Sequence, residues 1–245
     1  MYRNRYIITI LLLLPFTFLW GQSHELKAGK YRIQPGMNID SGMYKWLLPY
    51  QKNLETTMNK PIGFSAQGMS KKPLESVLGN FMADAMMQMC TEKFGKKPDA
   101  AFVNYGGIRS YIPKGEVLIR HVFELMPFDN LIVLQEVSGD SVQSFLNKIA
   151  ERGGWPISGI QFQIKNKQAV NIYIGGQPLD LTKTYVLANS DYVANGGDDC
   201  FMLKAFKQIN KGYLFRDALI EYIQILTKQG QTIDAKTENR ISYAP

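Results

Sequence analysis

Two loops of the chain contain residues whose types and spacing suit the binding of an anion and an aromatic ring. In residues 104–109, the adjacent glycines Gly106 and Gly107 allow backbone amides to approach a ligand closely, and Arg109 can donate two hydrogen bonds to phosphate oxygens. In residues 126–130, Phe128 follows a proline, which favours an exposed ring on which a base can stack. Asn130 offers an amide donor and acceptor side by side, as the edge of a base requires.

A third loop, residues 191–199, adds a second aromatic face and a carboxylate. Tyr192 supplies the ring, and Asp198 follows two glycines and can accept hydrogen bonds from both hydroxyls of a ribose. Each loop also has a plainer interpretation: a tight turn with a surface arginine, a loop anchored by a buried Phe128, and a common Asn-Gly-Gly-Asp turn. Together, however, the loops supply one group for each part of a nucleoside phosphate. We interpret all three as following strand-like segments.

The three loops and the stretch ESVLGNFMADAM at residues 75–86 resemble the C-terminal domain of the 5′-nucleotidase family, in the same order and at similar spacings. The resemblance covers about residues 40–243. It implies that two rings sandwich the base, with an asparagine at its edge, an aspartate on the ribose, and an asparagine and an arginine in the glycine-rich loop. The substrate-binding residues that it implies are Asn104, Gly106, Gly107, Arg109, Phe128, Asn130, Tyr192 and Asp198.

The sequence departs from the family in three places. Tyr105 replaces a glycine of the glycine-rich loop, and Leu74 stands where nucleotidases of the family commonly have a phosphate-binding arginine. Lys71 and Lys72 are candidate substitutes, although a lysine does not reproduce the two-pronged contact of an arginine. Preference for nucleotides over nucleosides is therefore left open.

The largest departure concerns the family's N-terminal metallophosphatase domain, whose paired metals activate water and bind the scissile phosphate. We find no sequence for it before residue 40, and the two histidines, His24 and His121, favour a solvated or structural role. No catalytic residue and no metal site are therefore assigned to this chain. Divalent metals are expected on a partner catalytic chain, and we expect this chain alone to be inactive.

Helical and strand patterns alternate without an internal repeat. Apolar spacing predicts long helices at residues 40–59 and 74–94, the second with a Met-rich apolar stripe, and further helices at residues 116–125, 140–152 and 215–228. Strands are predicted at residues 100–104, 131–137, 160–164, 170–174, 185–188 and 240–243. The fold class is therefore α/β with α+β character, a single domain in which helices flank a mixed sheet.

The N-terminus has the pattern of a secretory signal, with Arg3 and Arg5 before a short apolar run that Pro15 interrupts. We predict a signal peptide at residues 1–22, an extended leader at 23–39 and one domain at 40–245, in a periplasmic or otherwise exported protein with no membrane span after cleavage. An uncleaved anchor is the alternative. The net charge of +7 favours anionic ligands, but scattered lysines do not indicate a nucleic-acid polymer. With two cysteines, at most one disulfide is possible.

These observations predict the nucleotide-recognition part of a 5′-nucleotidase-like hydrolase, acting with a separately encoded metallophosphatase chain in nucleotide dephosphorylation. The alternative is a periplasmic protein that binds nucleotides or nucleosides without catalysis. A third interpretation is a magnesium-dependent phosphatase that uses Asp191, Asp198 and Asp199.

Overall fold

A computed structural model describes residues 29, 30, 32, 34 and 36–245 of the chain. The expected signal peptide lies outside these residues, as does most of the expected leader. The chain divides into two compact units, Met1–Leu47 and Leu48–Pro245. Among the described residues, no helix combines the length and the hydropathy that a membrane span requires.

The helices and strands alternate along the chain. The helices are α1 (Ser41–Met58), α2 (Val77–Phe94), α3 (Ile119–Leu125), α4 (Gly139–Glu151), α5 (Asp191–Ala194) and α6 (Phe215–Lys228). The strands are β1 (Pro61–Ser65), β2 (Ala100–Phe102), β3 (Gly115–Leu118), β4 (Leu131–Ser138), β5 (Ile157–Ser158), β6 (Ile160–Lys165), β7 (Gln168–Ile174), β8 (Gln177–Pro178), β9 (Thr184–Ser190), β10 (Gln208–Leu214) and β11 (Ile241–Tyr243). Short 3-10 turns lie at Tyr105–Gly107, Gly197–Asp199 and Phe201–Leu203.

A five-stranded sheet with the order β10-β4-β9-β2-β5 forms the centre of the second unit. Strands β2 and β9 are parallel, whereas the other three pairings are antiparallel. A four-stranded sheet, β11-β6-β7-β8, and a two-stranded sheet, β1-β3, accompany it. The predicted α/β class with mixed sheets and flanking helices is confirmed.

Each face of the five-stranded sheet contributes to its own hydrophobic core, because alternate residues of a strand point to opposite faces. In β2, Ala101 belongs to the core that includes α2 and α6, and Phe102 belongs to the core that includes α4. The Met-rich stripe of α2 is buried in the first core, as its apolar spacing predicts. Two covered faces explain why β4 is a nearly continuous apolar run.

Most predicted elements are present, and the main differences lie at two places. Residues 116–125 begin as a strand, β3, and only the second part is helical, because β3 pairs with the unpredicted strand β1. Strand β10 was also missed, since most of its residues are exposed or half-buried and give no apolar alternation. Helix α1 begins one residue after the predicted start at residue 40, and the Asp40 carboxylate caps it by accepting hydrogen bonds from the amides of Gly42 and Met43.

Both cysteines are buried and free, so they do not form the one disulfide that the sequence allows. Burial raises the pKa of each thiol to about 12, so both are neutral at physiological pH. His121 is structural: its Nδ1 atom accepts a hydrogen bond from the amide of Leu118 at the start of α3, and its pKa is lowered by burial and then by Arg120.

Replacing Phe145 of α4 by alanine should lower the free energy of unfolding by about 3–5 kcal/mol. The Phe145 side chain is fully buried, and its ring packs edge-on against Phe102 at 4.9 Å and Trp155 at 5.9 Å. Chemical denaturation measures the effect. Phe64→Ala is the control, since that ring is 49% exposed and its loss should cost much less; equal losses would contradict the assignment of this core.

Candidate functional site

The strand order of the five-stranded sheet brings the three loops of interest to one sheet edge. Strands β2 and β9 are parallel, so the loops that follow them, residues 104–109 and 191–199, leave the sheet at the same edge. Strand β4 is antiparallel to β9, with Ile132 opposite Ser190, so the residues before β4 reach this edge too. The interpretation that all three loops follow strands was wrong for residues 126–130, which follow α3 and precede β4.

The three loops enclose a cavity of about 360 Å³. Its lining consists of all eight residues that the sequence suggested: Asn104, Gly106, Gly107, Arg109, Phe128, Asn130, Tyr192 and Asp198. The cavity therefore brings together two aromatic rings, two amides, one guanidinium and one carboxylate. Residues from three distant segments meet here because of the strand order, and not because they are close in sequence.

The glycine-rich loop is held in shape by its own backbone and by the end of α3. The amide of Gly107 donates to the carbonyl of Asn104 at 3.0 Å, and that of Arg109 donates to Leu125 at 2.9 Å. A Cβ atom at Gly107 would lie 2.8 Å from the Asn104 side-chain oxygen, so only glycine lets that buried amide lie against the loop. At Gly106, by contrast, a Cβ atom would lie 3.9 Å from the Asn104 side-chain nitrogen, so the space beside this residue is open. Gly106 lines the cavity.

The two aromatic rings are exposed and line the same cavity. Phe128 is 39% exposed and Tyr192 is 45% exposed, so neither is an anchor of the core. The Arg109 guanidinium lies 5.9 Å from the centre of the Phe128 ring. The Tyr192 ring packs on Gly197, where a Cβ atom would approach it to 2.5 Å, and its hydroxyl accepts a hydrogen bond from the amide of Asp198.

One carboxylate oxygen joins the loops that carry these rings. Oδ1 of Asp191 accepts hydrogen bonds from the amide of Leu131, at 3.0 Å, and from that of Tyr192, at 2.9 Å. Arg216 also holds the Phe128 loop, donating to the Asp129 carboxylate at 2.7 Å and to the Phe128 carbonyl at 3.4 Å. Both aromatic walls are therefore attached to the scaffold through charged hydrogen-bonding groups.

The Asp198 carboxylate is bound on both sides. Its Oδ2 accepts a hydrogen bond from the Asn104 amide at 3.0 Å, and its Oδ1 lies 3.8 Å from Nη1 of Arg152. Arg152 also donates to the Asp199 carboxylate at 2.7 Å. Asp198 and Asp199 both have left-handed backbone conformations, with φ values of 53° and 60°. Adjacent non-glycine residues in this region are strained, as is common at binding sites.

The lysines suggested as substitutes for a phosphate-binding arginine do not line the cavity. Lys71 lies over the ring of Tyr105 and donates to the carbonyl of Ile108 at 2.7 Å, so it supports the glycine-rich loop. Leu74 has a left-handed backbone with φ of 68°, and its side chain packs against the core that includes α4. Arg109 is the cation among the residues that line the cavity.

The described residues contain no group of three or more His, Cys, Asp or Glu side chains placed to hold a metal ion. Asp191 is occupied by two backbone amides, while Asp198 and Asp199 contact Arg152. The three carboxylates of the magnesium-phosphatase interpretation therefore have other partners, and their geometry gives that interpretation no support.

Comparison with known proteins places this chain in a family. Residues 55–208 match the family model described as 5′-nucleotidase, C-terminal domain. The chain belongs to the 5′-nucleotidase C-terminal domain family. A solved structure of a 5′-nucleotidase precursor from Thermus thermophilus has a TM-score of 0.73 and 25% identity, covering 84% of this chain and 44% of that one.

Curated relatives in the family are much longer than this chain. A 5′-nucleotidase of Vibrio vulnificus is 27% identical over 210 residues, which are 81% of this chain and 37% of the relative. The trifunctional nucleotide phosphoesterase YfkN of Bacillus subtilis is 27% identical over 78% of this chain and 14% of its own length. The chain thus spans well under half of the length of these relatives.

Sequence reasoning did not identify the supporting role of three residues that shape the site: Asp191, Arg216 and Arg152. None of them lines the cavity, and each acts on a residue that does. Of the three, Asp191 alone has a local sequence signal for this role. A carboxylate directly before an exposed tyrosine, at the start of a short helix, can bind free amides. The two arginines give no signal, because their partners are distant in sequence.

Replacing Asp191 by alanine should loosen both aromatic loops without unfolding the protein. Loss of one hydrogen bond at each loop corresponds to roughly two- to tenfold faster amide exchange at Leu131 and Tyr192. Hydrogen exchange read by NMR measures this. Asp191→Asn retains an acceptor oxygen and should give a smaller change; unchanged exchange at both amides in the alanine variant would show that Asp191 does not join the loops.

Proposed function

We propose that this chain is the nucleotide-recognition part of a 5′-nucleotidase-like hydrolase and that its cavity binds a nucleotide or nucleoside. The observation that carries the proposal is the meeting of two exposed rings, two amides, a carboxylate and a guanidinium around one cavity of about 360 Å³. This volume is at the lower end of the range for small-molecule sites, about 300–1,000 Å³. Membership of a nucleotidase family supports the same ligand class.

The base lies between Phe128 and Tyr192 in this proposal. The two rings are offered by loops that Asp191 and Arg216 hold in place, so little ordering of the protein is needed when a base enters. Stacking on each ring is worth about 1–3 kcal/mol and tolerates different bases. Asn130, which lines the same cavity, contacts the edge of the base.

The sugar and the phosphate are bound by the other two loops. Asp198 accepts hydrogen bonds from the ribose hydroxyls, and Asn104 orients its carboxylate. Arg109 binds the phosphate, and its exposed guanidinium has to leave Phe128 and the Gly106 carbonyl or share them with the ligand. The exposed backbone of Gly106 gives the phosphate close access to the loop.

We further propose that hydrolysis takes place on a separately encoded metallophosphatase chain that supplies the divalent metals. The described residues offer binding groups and no cluster able to hold a metal. The 5′-nucleotidase of Vibrio vulnificus, which this chain matches over 37% of that relative's length, supports nucleotide hydrolysis as the reaction in which this chain takes part. The signal-like N-terminus supports a periplasmic or exported location for this chain, which a partner acting with it has to share.

A binding protein without catalysis is the second candidate. It is favoured by one observation: the groups that line the cavity are fixed by hydrogen bonds within this chain. Such a protein needs useful affinity unaided, whereas a recognition part that acts with a partner needs only enough affinity to position its substrate.

Removing either ring should weaken adenosine monophosphate binding by about 1–3 kcal/mol, because half of the base stack is lost. Isothermal titration calorimetry of Phe128→Ala and Tyr192→Ala, with metal removed, measures this. Tyr173→Ala is the matched control, since Tyr173 is 43% exposed and lines a different cavity. Wild-type affinity in both ring variants would refute the aromatic clamp.

Mixing this chain with a purified metallophosphatase from the same source should release phosphate from adenosine monophosphate faster than the partner alone. Neither Phe128→Ala nor Tyr192→Ala protein should give the full increase, and a chelator should abolish it because the metals do the chemistry. Phosphate release is the readout. No increase with the wild-type chain, in the presence of measurable nucleotide binding, would favour the second candidate.

A further inference from the structure

Arg152 lies next to the cavity in space, although none of the three loops that enclose the cavity contains it. It follows α4 directly, and its amide donates to the carbonyl of Lys148. Gly153 and Gly154 come next, with φ values of 82° and 98°, and turn the chain away from the helix. The backbone of Arg152 is therefore fixed by a helix end, and its side chain extends to the loop that carries Asp198.

The contacts of Arg152 are with two adjacent carboxylates. Nη2 donates to Oδ2 of Asp199 at 2.7 Å, and Nη1 lies 3.8 Å from Oδ1 of Asp198. The guanidinium side chain is 36% exposed and that of Asp198 is 23% exposed, so solvent screens this pair only in part. Arg152 itself does not line the cavity, whereas Asp198 does.

The Asp198 carboxylate needs such a contact for two reasons. First, the neighbouring negative charge of Asp199 repels it, and a guanidinium between the two offsets this repulsion. Second, both aspartates have left-handed backbones, a conformation that costs a non-glycine residue free energy and persists only when the surroundings enforce it. With Asn104 on Oδ2 and Arg152 near Oδ1, the carboxylate has a defined orientation.

We propose that Arg152 is a positioning residue that determines how strongly the site binds ribose hydroxyls. It holds Asp199 directly and Asp198 electrostatically, so that the Asp198 carboxylate remains turned toward the cavity as a hydrogen-bond acceptor. The inference rests on the proposed function, because it takes the ligand to be a ribonucleoside or its phosphate. It predicts that Arg152 affects the sugar and leaves the base stack unchanged.

The decisive measurement compares adenosine with 2′,3′-dideoxyadenosine, which carries the same base without the two hydroxyls. Arg152→Ala should weaken adenosine binding by about tenfold, the effect of a misplaced charged acceptor, and dideoxyadenosine binding by less than about twofold. Arg152→Lys, which keeps the charge and loses the fork, should fall between. Equal losses for both nucleosides, or no loss for either, would overturn the inference.

Two controls separate positioning from a general effect of charge or folding. Lys96→Ala removes one cation from an ion pair with Glu136 and should leave both affinities unchanged. Asp198→Ala and the double variant with Arg152→Ala should bind adenosine equally, since Arg152 acts only through Asp198. If Arg152→Ala does not fold, Arg152→Gln, which retains most of the side chain's stem, takes its place.

The ligand-free protein gives a readout that does not depend on the proposed function. The side-chain amide of Asn104 donates to Asp198, so its NMR signals should move in Arg152→Ala and stay in Lys96→Ala. Unmoved signals would overturn the positioning role whatever the ligand. Wild-type protein that binds neither nucleoside would overturn the proposed function, and the positioning of Asp198 would then be decided by the Asn104 signals alone.

Discussion

The pairing of β9 with β2 on one side and with β4 on the other determines where every group of the cavity lies. Parallel β2 and antiparallel β4 bring one loop after β2, one loop before β4 and one loop after β9 to a single sheet edge. The register is fixed by burial, because a shift of one residue would turn the apolar side chains of either core toward the opposite face. Packing of the sheet therefore positions polar side chains that take no part in the core.

The longer buried elements of this framework could be predicted from the sequence. The Met-rich stripe of α2 recurs at helical spacing over many residues, and β4 is a short apolar run rich in β-branched residues, as a buried strand requires. The eight cavity residues were found from the residue types in three loops and from a family resemblance. Strand β10 could not be found, because most of its side chains are exposed or half-buried and its pairing with β4 is made by the backbone.

The residues that support the site could not be predicted, since their partners are set by the fold alone. Arg216 and Phe128 are held together across 88 positions, and Arg152 and Asp199 across 47. Neither arginine stands in a motif, and a surface ion pair would explain each equally well from sequence. For Lys71 the sequence suggested a contact with the ligand that the structure does not show. Its position near the expected phosphate-binding arginine was the reason, whereas its ammonium group donates to carbonyls of the glycine-rich loop.

The proposed division of recognition and hydrolysis between two chains limits how the binding groups contribute to the reaction. Groups that bind base and ribose contact parts of the substrate that do not react, so they stabilise the ground state and the transition state alike and cannot by themselves accelerate hydrolysis. Their contribution comes from orientation, which holds the phosphate toward a metal centre and lowers the entropic cost of reaction. This contribution requires rigid loops more than high affinity. The hydrogen bonds that Asp191 accepts and that Arg216 and Arg152 donate provide that rigidity, at positions outside the cavity lining.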